Sequence, residues 1–404
     1  MTAGVTRLQR FVLALVCAVA VSTIYAIQPV LKTAGAELGL PPESVGWLVA
    51  AGQVGYFFGL VLLVPLGDLL DRRRLIVGHL LLTATGAGIT AAAPDGVIAV
   101  GGLAIAGLFA VVVQVTVAYV AEVSPAAERG RNIGAVTSGV VIGILGVRVF
   151  AGALGDTLGW RVVYVVLAML CTAVAVAARL SLRADVRQAD GRYTRVLTSM
   201  VKLAATDRLF ATRGLIAFSL FASFGTLWSG LALPLSAQPW CLGTTEIGLF
   251  GLAGLAGAVG AARAGRWADA GRAQAISGWS LILLAASWLL IARTEPTLWP
   301  LIAGIVLLDF AVQAVHVSNQ HLLTTAHPDR ASSVIGAYMA FYSLGSALGA
   351  ITTTWAYATW GWPASSLLGA LYALAGLVVW ALSRALGRHG VGLSHVATAA
   401  KECA

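Results

Sequence analysis

Residues 46–93 read GWLVAAGQVGYFFGLVLLVPLGDLLDRRRLIVGHLLLTATGAGITAAA. Two apolar runs flank a short charged knot of Asp68, Asp71, Arg72, Arg73 and Arg74. Each run approaches the ~20 residues that an α-helix needs to cross a hydrocarbon core of about 30 Å. In such a core every backbone N–H and C=O must be satisfied within the segment, which selects helices. The reading is therefore helix, charged turn, helix, with the arginines marking one membrane face.

The same pattern extends in both directions. Twelve apolar runs fall near 10–31, 43–66, 75–93, 97–120, 132–154, 160–181, 213–235, 246–264, 274–292, 298–321, 332–354 and 363–386. The chain of 404 residues is 59% hydrophobic and 11% charged, too apolar to be hidden in one soluble core. The period-2 alternation of an outer-membrane barrel is not visible. The first run is long, is followed by eleven more and lacks a cleavage site, so it reads as an uncleaved first helix.

A net charge of +9 invites a nucleic-acid partner, but position excludes it. Of the 26 lysines and arginines, 22 lie in breaks on one side of the alternating topology. Lys32, Arg161 and Arg293 lie on the other, and Arg148 falls inside a run. That asymmetry predicts a multi-pass protein of the cell inner membrane with both termini cytoplasmic. The basic surplus also attracts anionic lipid headgroups, so the large partner is the bilayer.

The four cysteines are scattered: Cys17 and Cys171 in runs, Cys241 in a loop, Cys403 near the end. Their spacing suggests neither a disulfide framework nor a metal site, and they read as small apolar fillers. GLAGLAGAVG (251–260) and GSALGA (345–350) lack the Gly-Lys-Ser/Thr of a phosphate loop and read as helix-packing surfaces. With no nucleotide-binding domain, nucleophile–base set, metal cluster or cofactor fingerprint, the expectation is a non-enzyme without cofactors.

The break at 182–212 is the longest and is basic. It divides the chain into an N-terminal unit (1–181), a cytoplasmic linker (182–212), a C-terminal unit (213–386) and a tail (387–404). Within the linker TRVLTSMVKLAATDRLF (194–210) has the spacing of an amphipathic surface helix. The halves echo each other. GDLLDRRR begins at Gly67 and GRWADAGR at Gly265, 198 residues later; Gly134 in RNIGAV and Gly336 in SVIGAY are 202 apart; Gly159–Trp160 and Gly361–Trp362 are again 202 apart. Six crossings per copy give both copies one orientation, and such repeats point to alternating access about a site between them. The fold class expected is an all-α membrane protein, twelve transmembrane helices in two pseudo-symmetric six-helix bundles.

On these motifs the sequence resembles the major facilitator superfamily over essentially the whole chain. GDLLDRRRL (67–75) is similar to the signature loop between helices two and three. ERGR (128–131), GWR (159–161) and LLDFAVQAVHVSNQ (307–320) are similar to segments of bacterial drug–proton antiporter-type members. The resemblance implies that Gly67, Asp68, Asp71 and Arg72 form an inner gate loop, with Asp71 latching near the start of helix eleven. It also implies that helices one, four, seven and ten line the cavity, and that a monomer suffices. Three positions depart from the pattern: Arg74 replaces a glycine, Leu103 stands where efflux members often carry arginine, and helix five has Gly139, Gly143 and Gly146 without a following proline.

Polar residues inside the runs nominate the site. Arg148 lies about 25 Å into helix five, and Asp309 about 16 Å into helix ten from the opposite side. A buried guanidinium must be paired, wet or snorkelling to the surface. Asp309, Gln313, His316 and Gln320 follow i, i+4, i+7, i+11 spacing and draw one polar stripe, which faces either a cavity or a neighbouring helix. Burial favours a neutral acid and an adjacent cation favours the carboxylate, so Asp309 exchanging Arg148 for a proton would couple protonation to access. His316 reads either as a second titrating group or as a neutral hydrogen-bonding partner. Tyr25, Gln28, Gln114, Tyr119, Trp228 and Gln313 are the candidate cargo contacts. Sparse charge and several aromatics point to small, fairly apolar cargo. The function expected is proton-coupled export by alternating access. An importer or facilitator of a small organic solute, and a transporter-like sensor or scaffold, are the alternatives.

Overall fold

The computed structural model describes residues 5–125, 128–184, 193, 198, 202–203, 205–260, 272–327 and 331–402. The long helices are α1 (Arg7–Tyr25), α2 (Gly46–Leu62), α3 (Arg72–Ala92), α4 (Gly96–Phe109, continued by Val112–Val123), α5 (Arg129–Leu158) and α6 (Trp160–Ser181). They continue with α7 (Arg208–Gly230), α8 (Thr244–Gly260), α9 (Ala273–Ile291) and α10 (Trp299–Ala326). The final helical stretch, Ala331–Glu402, is broken at Gly361 into α11 (331–360) and α12 (362–402). No strand occurs among the described residues.

Among the described residues ten stretches are long and apolar enough to cross a membrane. One of them, Val334–Ala385, holds both α11 and α12, and the shorter Thr244–Val259 completes twelve crossings. Several boundaries differ from the sequence reading: α1 ends at Tyr25 rather than near 31, α7 begins at Arg208 within the expected linker, and α10 runs to Ala326. The fourth run is interrupted at Ala110–Val111, and the last helix continues beyond 386 to Glu402. Much of the linker, the GRWADAGR segment except Arg272, and the tail's side chains lie outside the described residues.

The helix starts are set locally. The Asp71 side chain accepts from the Arg73 amide at 2.9 Å and opens α3, Asp95 accepts from Ile98 at 3.0 Å and opens α4, and Asp207 accepts from Phe210 at 2.8 Å and opens α7. Each carboxylate satisfies an amide that the first turn leaves without an intrahelical partner. Large apolar side chains such as Phe11, Trp279, Leu289 and Trp299 remain outward, as lipid-facing surfaces require.

The internal repeat is visible in the packing. Gly55 on α2 lies so close to α4 that an added side chain would strike the Ala104 carbonyl and the Leu108 amide. Gly257 on α8 stands in the same relation to the Val306 carbonyl and Phe310 amide of α10, all three positions shifted by 202. Gly143 packs on α1 at Ala18, and Gly345 packs on α7 at Phe218. Gly159 and Gly361, the repeated Gly-Trp pair, both turn the chain with positive φ, 87° and 76°. Only glycine adopts that backbone without strain, which explains why the two helix junctions use the same residue.

Helices α1–α6 pack chiefly among themselves, as do α7–α12. The two sets meet along α2–α11 and α5–α8. A shift of six helices exchanges these two seams, as two-fold pseudosymmetry demands. Several joining hydrogen bonds lie at the helix ends remote from the termini. Thr244 Oγ1 donates to Gly152 O (2.9 Å), Thr245 Oγ1 to Asp156 Oδ2 (3.1 Å), Lys32 Nζ to Ser236 O (3.2 Å) and Thr354 Oγ1 to Glu43 O (3.4 Å). Two further joints are deeper: Ser343 Oγ donates to Gln53 O (2.6 Å), and the Tyr25 and Tyr342 hydroxyls pair.

Candidate functional site

Between the two helix sets is a cavity of about 560 Å³. Its wall uses α1 (Val21, Ile24, Tyr25), α2 (Gln53, Tyr56), α4 (Val113, Gln114, Val117), α5 (Ile133 to Leu145), α7 (Phe221, Phe224), α10 (Asp309 to Gln320) and α11 (Ile335, Met339, Tyr342). The α5 portion spans thirteen residues, about 18 Å at 1.5 Å rise per residue. It reaches toward the ends of α4, α5, α10 and α11 that share the termini's side, while the seam described above closes the far side. The wall is mostly apolar and aromatic with a few convergent polar groups, the usual make-up of a small-molecule site.

The polar stripe on α10 faces this space: Asp309, Gln313, His316 and Gln320 all line it. The 3.6-residue helical period brings the four onto one face. His316 is engaged at both nitrogens, Nδ1 with Tyr338 Oη at 3.1 Å and Nε2 with Gln320 Nε2 at 3.0 Å. Tyr338 Oη also accepts from Asn319 Nδ2 at 3.4 Å. Asn319 Oδ1 in turn accepts from Arg213 Nη1 at 3.2 Å, and Gln274 Oε1 accepts from Arg213 Nη2 at 2.6 Å. The stripe is thus both cavity wall and interhelical glue, the two alternatives the spacing left open.

In a small recess adjoining the cavity sits Arg148, 2% exposed. Its Nε donates to Gln28 Oε1 at 3.0 Å, and its guanidinium carbon lies 3.8 Å from the centre of the Trp228 ring. The Tyr25 and Phe224 rings are each 5.7 Å away. Three aromatic faces around a desolvated guanidinium supply attraction without a counter-charge. Asp309, 1% exposed, is within electrostatic range, yet the two groups form no ion pair within 4 Å. Arg148 Nη1 and Nη2 and Asp309 Oδ2 lack protein hydrogen-bond partners. Trp228 stands beside both: a Cβ at Gly254 on α8 would be 2.8 Å from its Cζ2 and 3.2 Å from Asp309 Oδ2. Buried charges that do not form an ion pair with each other are costly to hold.

The structure distributes the other nominated residues as follows. Tyr25, Gln114 and Gln313 line the cavity, and Gln114 Nε2 donates to Tyr56 Oη at 3.2 Å. Gln28, Trp228 and Arg148 instead enclose an adjoining recess of about 10 Å³ with Leu231 and Ile247. Tyr119 is not among the cavity-lining residues; its hydroxyl contacts the Arg183 backbone at 3.3 and 3.4 Å. In the loop, Arg72 is buried and donates to Gly67 O (3.0 Å), Ala118 O (3.0 Å) and Glu122 (2.7 Å), tying α3 to α4. Asp71 caps α3 and lies 3.6 Å from Arg74. The Asp68 side chain lies outside the described residues.

Sequence reasoning missed Gln53, Tyr56, Phe221, Phe224 and Tyr342. Gln53 is 1% exposed, borders the cavity, and has neither side-chain oxygen nor nitrogen satisfied. Its only signal was an amide in an otherwise apolar run. Helices two, five and eleven line the space in addition to the four the resemblance implied.

Twelve long helices among the described residues, in two echoing sets around a largely apolar chamber, define a membrane transporter rather than an enzyme. The comparisons agree. The sequence profile of the Major Facilitator Superfamily matches residues 13–239 and 213–393, and the chain belongs to that family. It is 38% identical over 361 residues to the putative uncharacterized transporter YgaY of Escherichia coli K12, covering 89% of this chain and 92% of that one. It is 34% identical over 360 residues to the probable transporter SCO4007 of Streptomyces coelicolor, covering 87% and 81%. Among solved structures, a bacterial homolog of the human lysosomal transporter Spinster, inward-facing and occupied, superposes with a TM-score of 0.73 at 15% identity, covering 93% and 94%. The human organic anion transporter MFSD10 superposes with a TM-score of 0.69 at 16% identity, covering 93% and 100%.

Proposed function

We propose that this transporter is a proton-coupled exporter of small, fairly apolar molecules, working by alternating access. The observation that carries the reading is a pair of buried charges that form no ion pair with each other, Asp309 on the wall of an apolar chamber and Arg148 in the recess beside it. Asp309 exchanges a proton with the chamber, and its charge state sets how strongly it holds Arg148 across α5 and α10. Arg148 itself rests on Trp228 of α7. Protonation at 309 therefore acts on the contact between the two helix sets. Cargo sits among Tyr25, Gln53, Gln114 and Gln313, where amides and a phenol offer hydrogen bonds inside an apolar wall. Residues 1–181 and 213–386 act as the rocking bundles, joined by the linker at 182–212, with both termini cytoplasmic and the monomer as the working unit. On that topology the open end of the chamber faces the cytoplasm, and Asp71 latches the same face when it closes. A facilitator reading has one observation in its favour: helix four presents apolar Leu103, 1% exposed, where efflux members often have arginine.

The test is transport in proteoliposomes with an imposed pH gradient. A panel of neutral and weakly charged fluorescent dyes serves as cargo, and trapped pyranine reports protons. Dye flux that dissipates the gradient is the expected result. Dye flux indifferent to the gradient would leave the facilitator reading in its place.

A further inference from the structure

A second cavity lies outside the transport chamber. It is a groove of about 600 Å³ on the outer surface between α1 and α5. Its mouth carries Arg7 and Arg10, its rim Phe11 and Ile142, each 62% exposed, and its floor the small residues Ala14 and Gly139. The floor is deep because Gly139 lets α5 lie directly on the α1 backbone at Ala14. We propose that this groove is a binding site for an anionic phospholipid of the leaflet on the termini's side, with the phosphate held by Arg7 and Arg10 and one acyl chain lying along the groove.

Three observations support the assignment. The first is length. From Arg7 to Ala18 the groove follows twelve residues of α1, about 16 Å, which matches one leaflet of a hydrocarbon core about 30 Å thick. The second is charge. Both cations sit at the end where a headgroup would lie, and Arg7 has no acidic partner among the described residues. Arg10 is aimed from below: its Nη1 donates to Oδ1 of the fully buried Asn132 at 3.3 Å, and Asn132 is fixed by Ser124 at 3.0 Å. A capping box at Thr6 and Gln9 holds the first turn of α1 that carries both arginines. The third is recurrence. A groove of about 450 Å³ between α9 and α10 likewise starts at a cation, the single Arg272, and runs twelve residues past Trp279 to Leu283. Basic pockets between membrane helices that open into one leaflet suit phosphate headgroups with attached chains.

The test uses the full-length protein in a non-ionic detergent, with native mass spectrometry of added phosphatidylglycerol or phosphatidylcholine of identical chains. Phosphatidylglycerol is expected to be retained preferentially. Arg7→Gln with Arg10→Gln should weaken its binding about 30-fold, from two surface cations acting on one headgroup. Arg208→Gln, an exposed cation on the same side, should bind as wild type. Ala135→Leu keeps both arginines but fills the groove, and should also weaken binding. Millimolar glycerol phosphate should fail to compete, since it lacks the chain. Equal retention of the two lipids would overturn the assignment. So would wild-type binding by the double variant or by Ala135→Leu, competition by glycerol phosphate, or a dimer of this chain that disappears in the groove variants.

Discussion

The contact between Arg148 and Trp228 gives the sharpest quantitative prediction, because it crosses from α5 in one helix set to α7 in the other. Replacing Trp228 by leucine keeps the site apolar but removes the ring face 3.8 Å from the guanidinium. A desolvated cation–π contact of this kind is worth roughly 2 kcal/mol. If it exists only while the far side is closed, its loss favours the alternative state about 30-fold, at 1.4 kcal/mol per factor of ten. An open population of about 1% would rise to about 20–25%. Spin labels at Thr33→Cys and Ala237→Cys, with Cys241 and Cys403 replaced by serine, flank the far-side seam near the Lys32–Ser236 bond. Buried Cys17 and Cys171 stay unlabelled. Pulsed dipolar spectroscopy should then show a longer-distance component growing in Trp228→Leu. Arg148→Met should produce a similar shift, and the double variant little more than either alone, since both remove one interaction. An unchanged distance distribution in a well-folded Trp228→Leu protein, or fully additive single effects, would refute the argument.

Other outcomes follow from the same geometry. Asp309→Asn should retain dye binding, read by fluorescence anisotropy, while losing flux driven by the pH gradient; full gradient-driven flux would remove Asp309 from coupling. Gly257→Leu should destabilise the fold by about 1–3 kcal/mol, because the backbone at Val306 and Phe310 gives little room, and Gly55→Leu should cost a similar amount. Thermal unfolding in detergent measures both, and a large loss at only one site would argue against equivalent packing. Tyr338→Phe removes the hydroxyl shared by His316 and Asn319 and should cost about 1–3 kcal/mol while leaving dye flux measurable. Abolished flux in a stable Tyr338→Phe protein would instead place that hydroxyl in the transport cycle.

The amino-acid sequence by itself determined the membrane class, the approximate positions of twelve crossings and the internal repeat. These depend on local quantities: run length against bilayer thickness, the distribution of arginines, and recurring glycines at one offset. Helical periodicity also made the α10 stripe legible, because 3.6 residues per turn fixes which side chains share a face. Which faces meet was not legible. The sequence could place Arg148 and Asp309 at similar depths, but only packing put Trp228 beside both and kept the two charges from forming an ion pair. Gln28 and Trp228 proved to belong to the recess around Arg148, Tyr119 to the backbone at Arg183, and Gln53 to the cavity wall. The physical reason is that periodicity specifies rotation about a helix's own axis. The neighbour met by that face depends on helix order, tilt and close approach, which are decided by contacts between residues hundreds of positions apart.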